Sequence, residues 1–378
     1  VSYPAFFAAA ATGSFSDAPV VWSGVVFAEA SNVSPVPHIY SIGLAALSGG
    51  SVVANKRLRV ATPKEATRFG YSVRYAPDGR LWVLTFRSSD STPWPQYLCH
   101  FSDATLAAAA SGASVTPDIQ VTLPSSANGG PSLAFAPNGD AWITGTETSF
   151  LLSKVSAAHL VAGTLVSYDT SIALKSGISS SPSDLAFASN GDCFVAMSFN
   201  GAGCGIAWLQ AAQIASSTAD ETTSTLIPYK QIGLRNSITA NKRGCYGIAL
   251  DPAGDGVWVT GIQVAGGNGP AIYRYAFSKF DGNGTNTPPA ACSDPTPDVA
   301  LTCATSGAFD SPMSPRFDSD GRLYWANRWV DVTGAAGPKL YSGGRLLPAQ
   351  LATSGTVTAE KLYGSPATPG GNFDLTTR

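Results

Sequence analysis

Charge is scarce in this chain: Asp, Glu, Lys and Arg make up only 13% of its 378 residues. The basic residues are scattered singly and the net charge is −2, so no basic stripe exists to hold nucleic acid or an anionic membrane. Histidine is rarer still, at three: His38, His100 and His159. No two of them converge, and no Gly-x-Ser-x-Gly elbow is present, which leaves Ser-His-Asp or His-Glu catalysis without a base. No run approaches the roughly 18 apolar residues of a membrane-spanning helix. The six cysteines show neither C-x-x-C nor C-x-x-C-H spacing, which argues against zinc, thioredoxin-like and c-type haem readings. No basic stretch followed by an apolar core opens the chain, so Val1 reads as a mature terminus.

What is present is core and small polar surface. Hydrophobic residues make up 44%, enough for a large interior. With so few charges, the surface must be covered by Ser, Thr, Gly, Ala and Asn. Cysteines without metal spacing in such a chain point to an oxidising location, secreted, periplasmic or at the cell surface.

One stretch organises the sequence: Gly130-Pro-Ser-Leu-Ala-Phe-Ala-Pro-Asn-Gly-Asp-Ala-Trp-Ile-Thr144. It reads as a strand, a tight Pro-Asn-Gly turn and a second strand with an aromatic soon after the turn. Copies recur at 71–84, 183–196, 246–260 and 313–326, about sixty residues apart, which is the signature of a repeat architecture. The first strand of each copy alternates with period two. One column holds Val73/Tyr75, Leu133/Phe135, Leu185/Phe187, Ile248/Leu250 and Pro315/Phe317; the other holds Ser72/Arg74, Ser132/Ala134, Asp184/Ala186, Gly247/Ala249 and Ser314/Arg316. A large apolar column beside a small or polar one suits an innermost strand that lines a central channel. Weaker third- and fourth-strand signals follow each hairpin, so each unit is about four strands and must stack on its neighbours in a ring. The first unit lacks an inner strand, and Gly371 to Arg378 supplies it, with Asn372 and Asp374 in the channel column. The expectation is an all-β, six-bladed β-propeller of four-stranded blades, closed by the C-terminal strand joining the N-terminal blade. Residues 18–378 form this domain and 1–17 an N-terminal arm.

The pattern Leu-Ala-Phe-x-Pro-Asn-Gly-x-x-Trp-Ile/Val-Thr resembles the NHL-repeat and gluconolactonase-like group of six-bladed β-propellers. The resemblance covers almost the whole chain as architecture. In that group, ligands and metals bind over one mouth of the channel, between loops that lead into the inner strand and loops that leave the second. The matching positions here are Glu29, Arg68, Arg87, Glu147, Asn200, Gln263, Asp310, Asn327 and Arg328, with Arg74, Asp184, Arg316 and Asp374 in the channel. Arg74 and Arg316 are expected to pair with Asp184 or Asp374, because unpaired charge in a narrow channel is costly. Gluconolactonase-like enzymes hold a divalent metal with Glu, Asn and Asp. Glu29, Asn200 and either Asp310 or Asp184 are the corresponding set, with oxygen ligands suited to calcium or magnesium. The group's Glu-Gly-Pro motif is absent, because Glu29 is followed by Ala30-Ser31. No resident cofactor is otherwise expected.

The remaining features concern staples and contacts. Cys292 and Cys303 flank one outer strand as a local clasp, and Cys204 with Cys245 would join adjacent blades, whereas Cys99 and Cys193 read as buried thiols. Trp82, Trp142, Phe194, Trp258 and Tyr324 share one repeat position and read as packing residues. Trp94 and Trp329 fall in mouth loops and read as contacts for a partner or glycan. Two function classes follow: a secreted, non-catalytic propeller that binds a protein, a glycan or a neighbouring subunit, and a metal-dependent lactonase-like hydrolase at the channel mouth.

Overall fold

The computed structural model describes residues 24–30, 39–43, 56–61, 69–87, 96–110, 113–124, 129–145, 151–174, 181–198, 205–217, 221–226, 228–234, 242–263, 272–282, 295–305, 308–309, 312–327, 341–364 and 371–377. The expected arm at 1–17 lies outside them.

The repeat hairpins form as their turns dictate. Gly79, Gly139, Gly191, Gly254 and Gly321 all hold positive φ, from 74° to 89°, a conformation that glycine adopts without a Cβ penalty. Each hairpin continues outward through antiparallel neighbours. In one unit Gly129–Phe135, Ala141–Gly145, Leu151–Val155 and Thr170–Leu174 lie in that spatial order. The innermost strands stand side by side in a closed circle. The order runs Phe69–Tyr75, Gly129–Phe135, Ser181–Phe187, Lys242–Leu250, Pro312–Phe317, Gly371–Thr377 and back to the first. Gly371–Thr377 pairs antiparallel with Gly24–Ala30, bringing Leu375 opposite Phe27 and Asp374 opposite Ala28. The two ends of the described chain therefore share one sheet, and the architecture is a β-propeller.

The expected six blades of four strands are corrected by the strand count. Among the described residues there are five sheets of five strands and one of four. The additional strand is lent by the following unit. Ser114–Val115 runs parallel to Lys56–Val60, Gly163–Thr164 to Ile119–Thr122, Glu221–Leu226 to Thr170–Leu174, and Gly355–Val357 to Val299–Cys303. Asp281–Gly282 pairs antiparallel with Lys230–Gly233. An outer strand otherwise presents a row of open N–H and C=O groups, and these segments cover part of it while tying one unit to the next. Most are two or three residues long, too short to show alternation, so no pattern in the sequence announces them.

The interior lies between units. The repeat aromatics are packing residues, with Trp82, Trp142, Phe194, Trp258 and Tyr324 each at most 2% exposed. The first three each pack with the short turn that follows the third strand of the next unit. Trp82 packs with Leu160, just beyond Ala157, and Trp142 with Ile214, just beyond Ala211. The smaller Phe194 instead stacks on Phe277, with ring centroids 4.8 Å apart and planes 8° from parallel.

Aspartates tie the outer ends of the third strands. Asp118 accepts from Ser102 N at 2.6 Å, Asp169 from Ser156 N at 2.7 Å and Asp298 from Ala276 N at 2.7 Å. Burial pushes each carboxyl up. The hydrogen bonds to Ser102 and Thr105, to Ser156 and His159, and to Lys279 and Ala276 outweigh it and hold all three below the ordinary value of 3.8. A depressed folded pKa adds stability that is present above 3.8 and is lost as pH falls through the folded values. Urea midpoints should therefore drop on acidification below about pH 4. A variant carrying Asp118→Asn, Asp169→Asn and Asp298→Asn should start lower at pH 7 and fall less steeply. An unchanged slope would show that these carboxylates do not govern acid stability.

Candidate functional site in the central channel

The channel column is polar and buried. Ser72, Arg74, Ser132, Asp184 and Ser314 are all buried, so the channel at this depth is packed. Bulges set the aim of these residues. The register slips between Pro182 and Asp184, between Cys245 and Gly247, and between Met313 and Arg316. A slip just before a channel residue re-aims its side chain. The last slip is strained, because Ser314 holds φ 46° immediately before Pro315, at a cost of roughly 1–3 kcal/mol. Gly247 makes room for it: a Cβ there would meet Ser314 N, Pro315 Cδ and Thr260 Oγ1.

Asp184 is the centre of the site. Its side chain is 2% exposed, against 8% for Arg74 and 13% for Arg316. Arg74 Nη2 donates to Oδ1 at 3.2 Å. Arg316 straddles both oxygens at 3.1 to 3.2 Å. Ser132 Oγ donates to Oδ1 at 2.5 Å, Leu185 N to Oδ1 at 2.9 Å and Ile248 N to Oδ2 at 3.0 Å. Arg316 also donates to the carbonyls of Ile248 and Pro315, and Arg74 to that of Val73. One carboxylate thus joins side chains and backbone from five successive units of the ring. Charge-assisted bonds of this kind are the strong ones, and they satisfy the inner-strand N–H groups that face the channel. At one neighbouring junction Ser72 Oγ accepts from Leu133 N at 3.1 Å.

The expected pairing of Arg74 and Arg316 with Asp184 is therefore present. The other residues expected at the site are placed as follows. Glu29 and Asp374 lie on the paired strands Gly24–Ala30 and Gly371–Thr377, Glu29 opposite Asn372 at a bulge. Arg87 and Gln263 end the second strands Leu81–Arg87 and Gly256–Gln263. Asn327 ends Leu323–Asn327, is 2% exposed, and donates through Nδ2 to the Ala308 carbonyl at 2.9 Å. Arg68, Glu147, Asn200, Asp310, Arg328, Trp94 and Trp329 lie outside the described residues. Ser132 belongs to the site although its type gave no reason to single it out. Its one signal is that it occupies the Asp184 position of its own repeat.

The donor set tests the calcium expectation. A divalent ion of this class takes several oxygen ligands at about 2.0–2.6 Å. Asp184 has both oxygens committed to five donor groups, two of them guanidiniums that would repel a cation. Asp184 does not fit as a metal ligand. Among the described residues no group of three or more His, Cys, Asp or Glu is placed to hold an ion. Asp318 and Asp320 accept from Arg322 in their hairpin turn.

The four described cysteines are thiols. Cys245 is fully buried between units and Cys303 is half-buried, and neither forms a disulfide. The expected Cys204–Cys245 and Cys292–Cys303 staples are corrected accordingly, although Cys204 and Cys292 themselves lie outside the described residues. Cys245 sits in an apolar cluster with Ile248 and Val257, an environment that suits a small hydrophobic thiol. Cys99 and Cys193 are buried thiols as expected, and burial pushes both thiol pKa values up. Among the described residues no helix is long and apolar enough to cross a membrane.

No family model and no curated protein matches the chain. Solved structures similar to it include a gluconolactonase of Xanthomonas campestris, 13% identical over 80% of each chain, with a TM-score of 0.40. A protein from Lactobacillus plantarum is 12% identical over 93% of this chain and 98% of its own, with a TM-score of 0.43. The β-propeller domain of a Myceliophteria thermophila protein is 10% identical over 84% of this chain and 95% of its own, at 0.41. Gluconolactonase-like proteins and other β-propellers thus stand among the neighbours of a chain whose own sheets form a propeller.

Proposed function

We propose that this chain is a non-catalytic propeller, a rigid binding or scaffold module for a protein, a glycan or a neighbouring subunit. The observation that carries the reading is the saturation of Asp184. The Asp184 carboxylate, buried in the channel, is engaged by Arg74, Arg316, Ser132 and two backbone N–H groups, so it is spent on holding the ring together. A general base needs a lone pair within reach of a substrate proton, and a metal ligand needs one facing an ion; Asp184 offers neither. A secreted, periplasmic or cell-surface location remains part of the proposal. It rests on the scarcity of charge and the abundance of small polar residues, without support from disulfides.

The test is a metal analysis of the purified protein followed by a lactone hydrolysis screen, run with added calcium and with chelator. The expected result is turnover no faster than buffer in either condition. Chelator-sensitive hydrolysis would overturn the proposal in favour of a metal-dependent lactonase at the mouth.

A further inference from the structure

On the face that carries the hairpin turns, a groove opens beside Trp258. It forms a cavity of about 260 Å³ between the unit of Trp258 and the unit that follows. Phe317, Pro348 and Leu351 line its apolar side, and Asp251, Arg274 and Asp320 its polar side. The volume is below the usual range for a drug-sized ligand and matches a single long side chain.

Electrostatics select the kind of side chain. Asp251 accepts from Trp258 Nε1 at 3.2 Å and from Arg274, while Asp255 also accepts from Arg274. Asp318 and Asp320 share Arg322. Four carboxylates are thus set against two guanidiniums, and the side chains of Asp255 and Asp320 are 65% and 61% exposed at the rim. The chain itself displays what such a surface takes. In the Trp82 unit, Arg80 lies over the indole at 5.7 Å from the ring centroid while donating to Asp78 at 2.6 Å. In the Trp258 unit the residue that directly follows the turn glycine is Asp255, an acid where the Trp82 unit has Arg80.

We infer that this groove is a docking site for an arginine side chain of a partner polypeptide. The aliphatic stem lies along Phe317 and Leu351 and the guanidinium meets the Asp255 and Asp320 carboxylates. The inference rests on the reading of the chain as a binding module, and it fails separately from it: lactone turnover bears on the reading, and side-chain binding bears on the groove.

The experiment is a titration of the full chain with N-acetyl-arginine amide, followed at the Trp258 indole N–H resonance, which Trp258→Phe assigns. N-acetyl-citrulline amide, similar in shape and neutral, is the control. The expected result is a saturable shift with the arginine probe, a several-fold weaker response to citrulline, and loss of the difference at high salt. The exposed pair Asp255→Asn and Asp320→Asn, with an unchanged urea midpoint, should weaken arginine binding about fivefold. Equal responses to the two probes, or unchanged binding by the double variant, would overturn the assignment.

Discussion

Replacing Asp184 with alanine is expected to lower stability by about 3–5 kcal/mol, read as a fall in the urea midpoint. The loss has two parts. Arg74 and Arg316 would keep their charges at low exposure without the carboxylate that both now share. The Leu185 and Ile248 N–H groups would lose their acceptor, and a stranded buried donor costs about 1–3 kcal/mol. Asp184→Asn keeps the shape and one acceptor oxygen, so it should fall between wild type and alanine. A variant with Arg74→Met, Asp184→Leu and Arg316→Met removes the paired charges together and should recover part of the loss. Full recovery would show that the backbone donors contribute nothing; no loss in Asp184→Ala would remove the axial network from any account of this fold.

The second large effect belongs to Trp82, and Trp82→Ala should cost about 3–5 kcal/mol. The side chain is fully buried and lies 5.3 Å from the His100 ring and 6.3 Å from that of Phe135. It fills the seam between two units together with Leu133, Ile143 and Leu160. Its Nε1 has no hydrogen-bond partner, so Trp82→Phe loses volume alone and should cost much less than alanine. The stacked pair at the Phe194 seam gives the converse experiment. Phe194→Trp should destabilise, because Phe277 already stacks on that position, and adding Phe277→Ala should restore most of the loss. A double variant no better than the single would show that the two sizes are unrelated.

How much of this was legible beforehand differs by residue. The hairpins were, because Pro-Asn-Gly and its variants between alternating strands demand a tight turn, and glycine at 79, 139, 191, 254 and 321 carries the positive φ. The burial of Trp82 and its repeat equivalents was legible from their shared position. The borrowed strands were not: Ser114–Val115 and Gly163–Thr164 have no periodicity, and their partners lie in another unit. The disulfide reading failed for a similar reason, since the spacing of Cys204 and Cys245 does not reveal that Cys245 is packed among aliphatic side chains.

By itself the sequence determined the local alternatives: where each chain reversal occurs, which face of each inner strand is apolar, and which aromatic marks each repeat. These are decided by φ, ψ and side-chain period within a few residues, so they can be read within a few residues. The tertiary structure decided the axis. Arg74, Asp184 and Arg316 stand 110 and 132 residues apart, and only ring closure brings them to one carboxylate. Their pairing was one of several electrostatic options until bulges before Asp184 and Arg316 turned both inward. It is favourable because burial strengthens the attraction between the Asp184 carboxylate and the two guanidiniums, and the added hydrogen bonds from Ser132, Leu185 and Ile248 offset the cost of desolvation.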